Sequence, residues 1–278
     1  VSAMLCLTGM GVTRKADWMV LLGQVLHAAG VPTIAPLVLE GKRSGIFHGG
    51  CGDEEEETGL IQPDIVSEGY AATVLGSAPN PTVELLRWVV RLAGSKAWAN
   101  LVRMVQDLQS LQGFENIHSW LPPLLEDRPL SELRHLLQII PERSITLRQF
   151  SLAVAQQVLE AAERERVAVR AEDMIELGIR RHYSDQESLD VQQQVVADLR
   201  AAIGILDQEG WDRSDSQKRR DYAKAHRYLS DAYGIIEKEL ITLARRAVDP
   251  QRSPLLELAQ EALDNGLAAI WKAVQAAS

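Results

Sequence analysis

The chain has 278 residues, 46% apolar and 24% charged, a globular composition that excludes disordered, collagen-like and fibrous proteins. Its net charge of −9, from 29 basic and 38 acidic side chains, excludes broad coating of nucleic acid, because phosphate binding needs concentrated positive charge. No apolar run reaches the roughly 18 to 20 residues that span a bilayer, and two cysteines, Cys6 and Cys51, cannot make a disulfide scaffold; both facts point to the cytoplasm and away from a membrane partner.

In chain order, Ala3 to Leu7 reads as a short strand entering a glycine turn, Thr8-Gly9-Met10-Gly11. Trp18, Leu21, Leu22, Val25, Leu26 and Ala29 then recur at helical spacing and predict a helix from Thr13 to Ala29, capped by Gly30. Val31 to Leu39 is β-rich but interrupted by Pro32 and Pro36, hence an edge strand or extended arm. Residues 41–64 hold six glycines and the run Asp53-Glu54-Glu55-Glu56-Glu57, which predicts a solvated loop. The region 1–79 is therefore expected to be small and α/β or irregular.

From Asn80 the sequence is nearly all helical. Asn80-Pro81 predicts a helix start, Gly94 its end, and Ser95 the start of a second helix closed by Gly113. Pro122-Pro123 breaks the chain; helices follow over Pro129–Ile140, from Thr146 towards Arg170, and over Ala171–Tyr183. Ser184-x-x-Glu187 resembles a capping box, with Leu189, Val195, Val196, Leu199, Ile203 and Leu206 behind it. Ser214-x-x-Gln217 opens a long helix that Pro250 ends, and Ser253-Pro254 opens the last one, with Leu255, Leu258, Ala262, Ile270, Trp271 and Val274 as its expected core stripe. Short connections between long amphipathic helices force antiparallel neighbours. The expected fold is thus mainly α: a helical region over 80–183 and an antiparallel bundle over 184–278.

The motifs narrow the chemistry. Leu5 to Gly11, followed by Trp18, Leu22, Leu26 and Ala28-Ala29-Gly30, resembles the first strand–turn–helix of α/β-hydrolases, yet no Gly-x-Ser-x-Gly nucleophile elbow occurs anywhere in the chain. The same turn lacks the Gly-Lys-Ser/Thr ending of a phosphate loop. His48 and Cys51 lie beside Asp53 and Glu54 without the ligand spacing of a zinc or calcium site. No cofactor and no metal is expected. Trp88, Trp98 and Trp271 read as core residues, Trp120 and Trp211 as surface candidates beside helix breaks.

The segment Lys218-Arg219-Arg220-Asp221-Tyr222-Ala223-Lys224-Ala225-His226-Arg227 stands out on the long helix. Arg220 and His226 resemble the R-x(4–6)-H motif of HEPN ribonucleases, a family of dimerising helical bundles. The resemblance spans only 184–278. It implies metal-independent RNA cleavage, in RNA decay or antiviral defence, with Arg220 and His226 promoting attack of a ribose 2′-hydroxyl on its phosphate. Arg43–His48, Arg128–His135 and Arg219–His226 share the spacing, and six residues turn a helix by about 600°, which sets Arg220 and His226 some 120° apart. Two further readings of the segment are a phosphate-backbone surface formed by Lys218, Arg219, Lys224 and Arg227 (with Arg220), and a plain solvated basic face.

The leading expectation is a non-catalytic helical module that binds another protein or serves as a subunit of an assembly. The alternatives are the HEPN-like ribonuclease and a subunit holding an RNA or DNA backbone through 218–227; a homodimer is among the expected partnerships.

Overall fold

The computed structural model describes residues 82–109, 116–210, 215–248 and 250–277. The expected strand at Ala3–Leu7, the helix at Thr13–Ala29, the arm at Val31–Leu39 and the acidic loop with His48 and Cys51 lie outside these residues, as do Asn80, Pro81, Gly113, Trp211 and Ser214. Among the described residues every regular element is helical, in agreement with the mainly α expectation.

Two compact units are present, one taking in the described residues up to Arg128 together with 138–140, the other Pro129–Leu137 and Pro141 onward. In the first, α1 (Thr82–Ala93) and α2 (Ser95–Leu108) are joined by Gly94 alone. Its φ of 53° is left-handed backbone that glycine adopts without a Cβ clash. Two 3₁₀ turns, Ile117–Trp120 and Pro122–Leu124, follow. Leu86, Val90, Trp98, Leu101, Val105, Leu121 and Leu124 are all buried, so Trp98 is core as its spacing predicts.

The second unit contains the first part of α3 (Leu130–Ile139), then α4 (Arg148–Arg164), α5 (Ala171–Ser184), α6 (Leu189–Gln208), α7 (Ser216–Arg246) and α8 (Arg252–Ala277). Helices α5, α6 and α7 pack on one another, α4 lies against α5, and α8 runs along α7. The shared core comprises Ile175, Ile179, Val195, Leu199, Ala202, Leu206, Tyr228, Leu229, Ala232 and Ile236. Burying an aliphatic side chain of this kind contributes roughly 1.5–3 kcal/mol, which is why the apolar stripes decide the assembly.

Polar ties fix how the helices meet. Arg180 is almost fully buried and donates to the carbonyls of Leu137 at 2.9 Å and Pro141 at 3.0 Å, groups that the end of α3 leaves without helical partners. His182 Nδ1 lies 3.0 Å from Gln192 Oε1, and Gln192 donates to the Asp185 carbonyl at 3.0 Å, joining α5 to α6 beside their connection. Arg181 donates to Asp198 of α6 at 2.7 Å.

Three helix boundaries differ from expectation. Helix α4 stops at Arg164 instead of running to Arg170, and Leu147, the cap position before it, makes no side-chain cap. Helix α6 is capped by Ser188, whose hydroxyl accepts from the Val191 N–H at 3.4 Å, while Ser184 closes α5. Helix α7 is capped by Asp215, which accepts from the N–H groups of Gln217 at 2.9 Å and Lys218 at 3.0 Å.

Candidate functional site

The basic segment occupies the first three turns of α7, and its side chains go different ways. Arg220 is exposed and donates to Gln217 Oε1 at 2.7 Å. His226, 3% exposed, faces inward with its ring edge-on to Tyr222 at 4.5 Å, and neither ring nitrogen has a hydrogen-bond partner. Burial, reinforced by the Lys272 ammonium and opposed by Asp207, pushes its pKa down to about 4. It is a neutral imidazole packed in the bundle. The structure does not bring Arg220 and His226 together within one chain, in keeping with their angular separation on a continuous helix.

The other basic side chains are held mostly by their own fold. Lys218 pairs with Glu209 at 3.2 Å. The Arg227 guanidinium lies over the Tyr228 ring, 5.8 Å from its centroid. Arg219 is half-buried, its Nε without a hydrogen-bond partner. Lys224 reaches two carboxylates, Glu142 at 2.6 Å and Glu176 at 2.9 Å. Burial disfavours its charge, but Glu176 and Glu142 outweigh that and hold its pKa above the ordinary lysine value. Glu142 also accepts from the Tyr228 hydroxyl at 3.1 Å, and burial, with the Tyr183 hydroxyl and the Glu142 charge, drives the Tyr228 phenol upward. The cluster ties the chain after α3 to α5 and α7. Arg180 also pairs with Glu176 at 3.2 Å, so two cations meet the two carboxylates, and Arg220 and Arg227 are the exposed cations of the segment.

The feature that sequence reasoning missed lies on α8. Its buried stripe is Ala259, Ala262, Gly266, Ala269, Ala273 and Ala276, small residues that let α8 approach α7 closely. A Cβ on Gly266 would stand 3.3 Å from Tyr233 Cβ, a measure of how closely the two helices approach there. The large apolar side chains point elsewhere. Leu256, Leu267, Ile270, Trp271 and Val274 are between 43% and 63% exposed, and Leu263 is half-buried beside them. The expected core stripe is corrected accordingly: of its members only Ala262 is buried, Leu255 is half-buried, and Leu258, Ile270, Trp271 and Val274 face solvent. Trp271 is a surface residue, whereas Trp120 is half-buried.

On a helical wheel the positions 256, 260, 263, 267, 270, 271 and 274 fall within about 100° of arc and extend over about 27 Å. Gln260 is the one polar side chain among them. The face is a continuous row of large apolar side chains open to solvent. The signal in the sequence was the presence of two apolar stripes on one helix, one small and one large, where a helix with one packing partner needs only the first.

No family model, curated protein or solved structure matches this chain. The site is therefore read from its own chemistry. Among the described residues no group of three or more His, Cys, Asp or Glu side chains is gathered to hold a metal, and no helix is long and apolar enough to cross a membrane.

Proposed function

We propose that the protein is a non-catalytic helical interaction module, a subunit that docks onto another polypeptide through the outer face of α8. The observation that carries this reading is the row Leu256, Leu263, Leu267, Ile270, Trp271 and Val274, large apolar side chains on a helix whose packing against α7 is already satisfied by alanine and glycine. Leaving these side chains in water forgoes stabilisation that any apolar partner surface restores. Trp271 has the size and position of an anchor, since large aromatics dominate the energetics of such interfaces.

The internal engagement of Lys218 and Lys224 supports the same ranking, because ammonium groups paired with carboxylates are poor phosphate ligands. The test is the size of the native particle containing this chain in the cells that express it. The wild-type chain is expected to migrate above its own mass of 30.7 kDa, and Leu267→Lys with Ile270→Lys to release it. A particle of unchanged size in that double variant overturns the reading.

A further inference from the structure

We infer that the occupant of the α8 face is α8 of a second copy, laid antiparallel across a two-fold axis near Leu267. This rests on the docking reading above and names its partner. The outer-face positions Leu256, Gln260, Leu263, Leu267, Ile270 and Val274 are spaced by four, three, four, three and four residues. The five steps average 3.6 residues, in the alternating four-three pattern of a heptad by which two helices interlock side chains along their length. A partner must present the same repeat over the same distance. A second copy does so by construction, and a two-fold axis lets one patch meet itself and closes the assembly at two chains.

Charge decides the orientation. The first half of α8 carries three carboxylates, Glu257, Glu261 and Asp264, against one cation, Arg252; residues 265–277 carry no carboxylate and one cation, Lys272. A parallel, in-register pair would gather six carboxylates at one end. The antiparallel pair sets each acidic half beside the uncharged or cationic half of its mate, and like-charge juxtaposition is avoided. With the axis at Leu267, Leu263 of each copy lies beside Ile270 and Trp271 of the other, so the tryptophan covers the leucine that its own chain leaves half-exposed. Gln260 falls near Val274 of the other copy, towards the end of the interface, where water reaches its amide.

The area is adequate for reversible association. Six large apolar side chains per copy, with the stems of their neighbours, bring the pair near the lower end of specific interfaces, roughly 1,200 Å² in total. The dimer is therefore expected to depend on concentration, and to form from the full chain without any other component.

The test is sedimentation equilibrium of the purified full chain, from micromolar to several hundred micromolar. The expected mass rises from that of one chain to twice 30.7 kDa. Leu267→Lys with Ile270→Lys should sediment as one chain throughout, with an unchanged circular-dichroism spectrum, because both positions are exposed. Orientation is read by oxidative cross-linking in a Cys6→Ser, Cys51→Ser background. Leu267→Cys should link to itself, and Leu263→Cys should link only when mixed with Trp271→Cys. Self-linking of Leu263→Cys overturns the antiparallel arrangement. A wild type that stays at one chain mass, or a double variant that still dimerises, overturns self-pairing. If the wild type is monomeric while its cellular particle is lost in the double variant, self-pairing fails and the docking reading stands; if neither responds, both fail.

Discussion

Arg134 of α3 holds Asp173 of α5 with two parallel hydrogen bonds, Nε to Oδ1 at 2.8 Å and Nη2 to Oδ2 at 2.6 Å. Asp173 is 3% exposed and also accepts from the Arg170 N–H at 3.0 Å, so one carboxylate both caps α5 and receives α3. Burial raises its pKa, but the Arg134 bonds, the Arg170 N–H and both guanidinium charges prevail and hold it below the usual aspartate value. A carboxyl whose folded pKa is depressed contributes stability above its unfolded pKa and loses it as pH falls through the folded value. Asp173→Asn is expected to lower stability by about 3 kcal/mol at neutral pH, since it removes the nearly buried charge that both guanidinium groups share. The difference from wild type should shrink below pH 4, and urea titrations at pH 7 and pH 3.5 measure it.

His226 behaves in the same sense, in a higher pH window. Its folded pKa, about 4, lies below that of an exposed histidine, so the native state binds this proton less readily than the unfolded chain does. Its contribution is fully present above an unfolded pKa of about 6.5 and is lost as pH falls towards 4, by about 1.4 kcal/mol per unit. His226→Phe removes the proton site and the two unpaired ring nitrogens. The variant should melt higher than wild type, with a difference that widens between pH 7.5 and pH 5. Parallel melting curves across that range would show that the imidazole is hydrated in solution.

The helical nature of the second unit was legible because its stripes are long and periodic, and Leu199, Leu206, Leu229 and Ile236 are buried where that periodicity put them. Boundaries were less legible, for local reasons. Ser184 looked like a cap, but its hydroxyl donates back to the Arg181 carbonyl at 2.8 Å, and Asp185 Oδ1 gathers the N–H groups of Glu187 and Ser188 before the true cap at Ser188. The end of α4 carries no glycine to announce it. The α8 face was misread because a hydrophobic pattern tells which residues prefer burial, whereas the alanine stripe wins when close backbone approach is what the neighbouring helix offers. The placement of Arg220 and His226 in different environments followed from helix geometry alone; the depth of His226 did not, because it depends on α8 and on the end of α6.

The end of α4 yields a prediction of its own. Val167 donates to the Ala162 carbonyl at 2.9 Å and Arg166 to that of Glu163 at 3.0 Å, a reversal that requires left-handed backbone at Arg166, whose φ is 56°. A side chain there costs roughly 1 kcal/mol relative to glycine. Arg166→Gly is expected to raise the midpoint of chemical denaturation. Gly178→Ala should do the reverse, because a Cβ would stand 2.9 Å from the fully buried Leu199 side chain where α5 meets α6. The expected loss is about 1–3 kcal/mol, the usual cost of overpacking.

Lys224 separates a structural role from a nucleic-acid role for the basic segment. Its ammonium bridges Glu142 and Glu176, and Glu142 in turn receives the Tyr228 hydroxyl. Removing the charge leaves two carboxylates facing each other with one fewer donor. Lys224→Gln is therefore expected to destabilise the fold by about 1–2 kcal/mol, the scale of a charged hydrogen bond. It should also speed amide exchange around residues 141–146, which this cluster tethers. A lysine that neutralised a phosphate would act elsewhere: without it, the slope of log affinity against log salt on a duplex would be shallower by about 0.9. Titrating the wild type and Lys224→Gln with RNA and DNA duplexes over a salt series distinguishes the two. Unchanged slopes with accelerated exchange are expected, because a side chain already closed on two carboxylates has no free charge to offer a phosphate. A reduced slope with unchanged exchange would return the segment to nucleic-acid recognition.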